Sequence, residues 1–148
     1  MKFISLDSMV FIYLFEVHDT LHTQAENILL EVEKGSFGAI TSVVAPIEAL
    51  SVAKLQHAVK ERDEIVHFFH ETANLSVLPV DWLIAQTAAD LRRSHRGLRT
   101  PDAIQLATAI EKKADVFVTN DKKLLNLTRP PLPIATMSKF LLSLPSMQ

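Results

Sequence analysis

Four carboxylates stand where local structure would bring them together. Asp7 closes the apolar run Phe3-Ile4-Ser5-Leu6, and Asp121 follows Val116-Phe117-Val118-Thr119-Asn120 just before the helical Lys122-Lys123-Leu124-Leu125. Glu48 and Asp102 lie between them in apolar or helix-starting stretches. Acids at strand exits converge on the carboxyl edge of a parallel sheet, where open α/β folds place their active sites. Like charges in one pocket raise each other's pKa, so such a cluster persists as carboxylates only around a divalent cation. Hard oxygen ligands with retained waters suit Mg²⁺ or Mn²⁺ better than zinc. The chemistry to expect is metal-assisted phosphodiester hydrolysis, with an acidified water as nucleophile and no covalent protein intermediate.

Each acid also has an ordinary reading. Asp7, Asp102 and Asp121 can all be helix caps or first-turn acids, favoured by the helix dipole. Glu48 is harder to explain that way. It is the only acid between Glu33 and Glu61, and its neighbours on a helix face are Val44, Ala45, Ser51 and Val52. A carboxylate on an apolar stripe is costly unless paired or metal-bound, and Lys54 or Arg99 is the alternative partner. Basic residues Arg92, Arg93, His95, Arg96 and Arg99 crowd the approach to Asp102, while Lys122 and Lys123 follow Asp121. They could hold a phosphate backbone, with Arg99 and Lys122 as candidate substrate contacts, or simply offset helix C-termini. His18 and His22, with Glu26 beyond, and His67 and His70 have spacings that zinc could use, but no third ligand is evident. Surface histidines are the better reading.

The elements that must position these acids alternate along the chain. Phe3–Leu6 reads as a strand and Met9–Phe15 as a short helix. Thr20–Glu33 has Leu21, Ala25, Ile28, Leu29 and Val32 at helical spacing, ended by Lys34-Gly35. Phe37–Thr41 is a second strand, and Ser42 caps a helix over Val43–Leu55 with Pro46 in its first turn. His57–Thr72 is amphipathic, with Ile65, Phe68 and Phe69 on one face. Leu75–Val80 alternates like a strand, and Asp81 caps a helix that ends near Gly97. Thr100 reads as the N-cap and Pro101 as the first residue of the next helix, whose buried stripe is Ala103, Leu106, Ala107 and Ile110. Asp115–Val118 is a strand, Pro130-Pro131 breaks the chain, and Leu132–Met137 is a last edge strand. Strands separated by helices imply a parallel sheet covered on both faces.

The 148 residues are 48% apolar and 22% charged with 3 glycines. That composition fits one helix-rich globular domain over 1–148. The chain has no cysteine, so disulfides, thiolate metal sites and cysteine nucleophiles are out, and a reducing cytoplasm fits. No apolar run approaches a membrane span, and Asp7 comes too early for a signal-peptide core. A net charge of −2 argues against nucleic-acid binding by bulk electrostatics, so any such contact needs a local basic patch or a metal. Gly-x-Ser-x-Gly, phosphate-loop and dinucleotide glycine patterns are missing, which removes serine hydrolase, NTPase and dehydrogenase readings.

Nearly the whole chain resembles PIN-domain proteins, in particular the VapC-like toxin ribonucleases of type II toxin–antitoxin pairs. The resemblance rests on Phe3-Ile4-Ser5-Leu6-Asp7-Ser8, on Pro46-Ile47-Glu48-Ala49-Leu50, on Thr100-Pro101-Asp102-Ala103-Ile104-Gln105-Leu106-Ala107-Thr108-Ala109, and on Val116 to Leu124. It implies a three-layer α/β/α fold with a central parallel sheet, Mg²⁺ or Mn²⁺ held by Asp7, Glu48, Asp102 and Asp121, and endonucleolytic cleavage of RNA. It further implies that Thr119 orients a neighbouring carboxylate by a hydroxyl hydrogen bond, with Asn120 in support. A homodimer and an inhibitory antitoxin partner follow from the same likeness. The alternatives are a stand-alone PIN nuclease of RNA processing and a catalytically weak PIN fold used for binding. One departure concerns the position two residues after the first acid. The family usually has Asn or Ser there, this chain has Met9, and Ser8 is expected to face elsewhere.

Overall fold

The computed structural model describes residues 2–16 and 19–145. In chain order its elements are β1 (Phe3–Leu6), α1 (Ser8–Phe15), α2 (Thr20–Glu33), β2 (Gly38–Ser42), α3 (Val44–Leu50), a 3₁₀ turn (Ala53–Leu55) and α4 (Val59–Glu71). There follow β3 (Leu75–Leu78), α5 (Trp82–Ser94), α6 (Thr100–Glu111), β4 (Val116–Val118), α7 (Lys122–Leu125), β5 (Ile134–Ala135) and α8 (Met137–Ser143). The five strands are all parallel, in the order β3-β2-β1-β4-β5. The chain thus steps outward from β1 to β3 and then crosses back to β4 on the other side of β1. That reversal is a topological switch point at the carboxyl ends of β1 and β4, beside Asp7 and Asp121, where open α/β sheets bind ligands.

Helices cover both faces because strand side chains alternate. Ile4, Leu6 and Val118 join one core with Val10, Phe11, Ala25, Ile28, Val32, Ala45 and Phe69. Phe117 points the other way, into a second core with Ile84, Leu91, Ala103, Leu106, Ala107 and Leu124. On the first face Phe11 and Phe15 meet Phe68 and Phe69 edge-on or tilted, with ring centroids 5.0–6.1 Å apart. Gly38 lies where a Cβ would stand 2.9 Å from the Phe3 ring, so a side chain there would require that exposed ring to move. Gly35, at φ +83°, gives α2 its left-handed stop.

Sequence and structure part in three places. The helix expected over Val43–Leu55 ends at Leu50, where the Ser51 hydroxyl donates back to the Ile47 carbonyl and the chain continues as the 3₁₀ turn. Ser42 belongs to β2, although its hydroxyl still accepts from the Val44 amide at 3.2 Å. Thr100 is not a cap. Arg99 is the N-cap residue without a side-chain cap bond, Thr100 is already helical, and Pro101 fits anywhere in a first turn that lacks amide acceptors. The last expected strand shrinks to Ile134–Ala135. Thr136 then caps α8 by accepting from the Lys139 amide at 3.1 Å, an element for which Leu132–Met137 gave no signal.

Candidate active site

Asp7 is placed by two strands at once. Its amide donates to the Val118 carbonyl at 3.0 Å, tying the exit of β1 to that of β4. As the N-cap of α1 it accepts from the Ser8 amide at 2.8 Å through Oδ1. Its Oδ2 accepts from the Thr119 hydroxyl at 2.6 Å. That hydroxyl in turn accepts from the Asp121 amide at 3.0 Å, so one buried threonine joins the first acid to the last. Burial pushes the Asp7 carboxyl up to about 6; the Thr119 and Ser8 bonds pull it down, while Asp102 and Glu48 push it up. Asp121 caps α7, accepting from the Lys123 amide at 2.9 Å.

Asp102 sits in the first turn of α6, 7% exposed, and accepts from Arg99 Nε at 3.2 Å. Burial raises its pKa, Arg99 opposes that by charge and hydrogen bond, and Asp121 adds to it. Glu48, half-buried on α3, is raised by burial and then by Asp102, with a Ser8 hydrogen bond and the Arg99 charge acting the other way. Among the described residues Glu48 forms no salt bridge, with Lys54 or with Arg99. The four acids therefore gather at one sheet edge and, Asp121 acting on Asp102, repel one another.

Ser8 faces this site, against the expectation for it. It is buried because α1 starts directly after Asp7; its hydroxyl accepts from Gln105 Nε2 at 2.9 Å and lies near enough to Glu48 to pull that carboxyl's pKa down. Gln105 Oε1 accepts from the Ser42 amide at 3.2 Å and the Thr41 hydroxyl at 3.4 Å. The Thr41 hydroxyl also donates to the Leu6 carbonyl at 2.8 Å. This buried network bolts β1, β2, α1 and α6 together beneath the acids, and every member has a partner. Sequence reasoning passed over Gln105, although a polar side chain three residues after Asp102 in an apolar stripe is a signal. It also missed Tyr13 of α1, whose phenol burial and then Asp7 raise in pKa. Met9 is half-buried beside Ser8, which supplies the polar group next to Asp7.

Other candidates fall elsewhere. Asn120 Oδ1 accepts from the Met137 amide at 3.0 Å and so starts α8 instead of joining the acids. Arg99 is committed to Asp102, Arg93 to Asp90, and Arg92 Nε to the Leu98 carbonyl at 3.2 Å. Lys122 is exposed. His22 bonds the Tyr13 carbonyl and Glu26, His67 is exposed and His70 is exposed to solvent too, and His18 lies outside the described residues.

The donor set suits a hard divalent cation in kind: carboxylates that repel one another, one of them raised to about 6. In spacing it is open, since among the described residues no three His, Asp or Glu side chains are close enough to ligate one ion. Thr119 holds Asp7 through Oδ2 and Arg99 holds Asp102 through Oδ2, so a cation at that Asp102 oxygen competes with Arg99.

Residues 4–130 match the PIN domain family model, and the chain belongs to that family. Its fold is also that of toxin–antitoxin proteins among the solved structures. VapBC2 of Rickettsia felis bound to a promoter DNA fragment gives a TM-score of 0.70 at 17% identity, over 90% of this chain and 98% of that one. DNA-bound VapBC of Salmonella typhimurium gives 0.67 at 21%, over 93% and 99%. Mycobacterium tuberculosis VapC20, a Sarcin-Ricin loop cleaving toxin, gives 0.61 at 16%, over 77% and 86%. No curated protein sequence matches the chain.

Proposed function

We propose that this PIN-domain chain, taken as one domain, is a metal-dependent endoribonuclease and the toxin of a toxin–antitoxin pair. The observation that carries the reading is Asp7: fastened by Thr119 and raised to about 6, first by burial and then by the charges of Asp102 and Glu48. A carboxylate so placed is uncomfortable at neutral pH without a cation. Bound among Asp7, Glu48, Asp102 and Asp121, Mg²⁺ or Mn²⁺ supplies positive charge for the phosphate and an acidified water. The protein's own share is positional. Thr119 fixes the Asp7 carboxylate, Gln105 fixes the Ser8 hydroxyl beside Glu48, and Arg99, once released from Asp102, offers a guanidinium to the phosphate.

The antitoxin is supported by the VapBC complexes the fold resembles, and by an apolar cleft of about 570 Å³ lined from α1, α3 and α4. Ile12, Phe15, Val52, Leu55 and Phe68 line it, and its charged lining is Glu16, Glu61 and Glu64 against Lys54, a net acidic rim that suits an amphipathic basic segment. A homodimer is supported by two apolar side chains at the start of α5, Trp82 and Leu83, which are 78% and 55% exposed. Exposed apolar surface of that kind marks interaction sites. Among the described residues no helix is long and apolar enough to cross a membrane. We place the protein in the cytoplasm, where its RNA would be.

The test is cleavage of single-stranded RNA by purified protein with Mn²⁺. Expected is cleavage that EDTA stops and that Asp7→Asn and Asp102→Asn each lose. Intact RNA, or cleavage by both variants as fast as by wild type, removes the nuclease and leaves a binding module. A small open reading frame immediately upstream separates a toxin from a stand-alone nuclease.

A further inference from the structure

The loop between α5 and α6 faces the turn after α7 across a groove of about 950 Å³. His95, Arg96 and Leu98 stand on one wall, and Lys123, Leu127 and Arg129 on the other. No Asp or Glu lines it, and among the described residues Arg96, Lys123 and Arg129 enter no salt bridge. In a chain of net charge −2 this is a local concentration of cations, of which Lys123 also acts on the Asp102 charge. Both walls run directly into the acids. Leu98 is followed by Arg99, which bonds Asp102, and the backbone amide of Lys123 bonds the Asp121 carboxylate at 2.9 Å.

We infer that this groove carries the phosphodiester backbone of the RNA strand next to the bond that is cut, through Arg96, Lys123 and Arg129. The inference rests on the nuclease reading and moves the main substrate charge away from Lys122, which lies outside the groove lining. No Phe, Tyr or Trp lines the groove, so bases have no ring to stack on. Contact is with phosphates, and the groove adds affinity with little sequence preference. An acidic protein segment would find the same cations. Continuity with the acids at both walls favours the strand that must reach them.

The experiment measures binding of a fluorescent single-stranded RNA to Asp7→Asn protein in EDTA across a KCl series, so that no cleavage intervenes. Adding Arg96→Gln, Lys123→Gln and Arg129→Gln is expected to flatten the plot of log affinity against log salt by about 2, three lost phosphate contacts on a single strand. A second variant, Lys60→Gln, Lys112→Gln and Lys139→Gln, removes the same charge from surfaces outside the groove and is expected to keep the slope. An unchanged slope in the groove variant, an equal fall in the control, or no RNA binding by the Asp7→Asn protein overturns the inference. An unchanged RNA slope with lost binding of an oligoglutamate peptide assigns the groove to a protein partner and overturns it too. Cleavage is read separately with Mn²⁺, so the nuclease reading and the groove fail independently.

Discussion

Asp7 and Asp102 are both buried acids at one sheet edge, 3% and 7% exposed, yet they are held in opposite ways. Neutral donors hold Asp7: the Thr119 hydroxyl and the Ser8 amide, both fixed by strands and a helix start. A long cation holds Asp102: Arg99, whose side chain is 63% exposed and free to leave. The first arrangement fixes position and leaves the charge poorly compensated. The second compensates charge and leaves position adjustable. One fixed acid and one releasable acid suit a site that must admit a cation and a phosphate without rebuilding its core.

The largest expected effect concerns the pH dependence of folding without metal. The Asp7 pKa is about 6 in the fold against an ordinary 3.8, so between those values the native state keeps a proton that the unfolded chain has released. Stability from this group is full below the unfolded value and falls as pH rises through the folded one, by about 3 kcal/mol. Denaturant unfolding in EDTA at pH 4 and pH 7 should show Asp7→Asn losing less stability than wild type across that window by most of this amount. Asp102→Asn should change the difference less, because Arg99 already offsets that charge. If both variants behave alike, the contrast between the acids is gone.

Next in size is the hydroxyl that fastens Asp7. Thr119→Val removes a hydrogen bond to a charged group and strands the Asp121 amide. The expected cost is about 2 kcal/mol at neutral pH by denaturant midpoint, and Thr119→Ser should recover most of it. Arg99→Gln should cost under about 1 kcal/mol, as expected for a guanidinium largely in water. A loss as large as that of Thr119→Val would mean Arg99 is as structural as the threonine. The smallest effect lies at Ser5, whose buried hydroxyl has no partner among the described residues. Ser5→Ala should leave thermal stability unchanged or raise it by up to about 1 kcal/mol, in contrast with the fully partnered Ser8 three residues on.

What could be read from the chain beforehand was what local grammar writes. Asp81 and Asp121 lie just before helical patterns, and both cap as their chemistry demands. The strands carrying Asp7 and Asp121 could be located because β-branched and aromatic residues end there abruptly. Gln105 and Ser8 were not legible as a pair, since 97 residues separate them and only the crossing of α6 over β1 joins them. Strand alternation alone would turn Ser8 away from Asp7, but α1 begins at that residue and turns it inward. Asn120 looked like part of the acid cluster by adjacency, but its partner is the start of α8, a helix whose only local mark is Thr136. Proximity in sequence places backbone; which way a side chain turns is decided by elements far away.

The most direct test is calorimetric titration of Mn²⁺ into wild type, Asp7→Asn and Asp102→Asn at pH 7. Wild type should bind and each variant should lose binding, with a stronger heat in Arg99→Gln because no guanidinium has to be displaced. Failure of wild type to bind, or undiminished binding in both Asn variants, would contradict a cation held jointly by the fixed and the releasable acid.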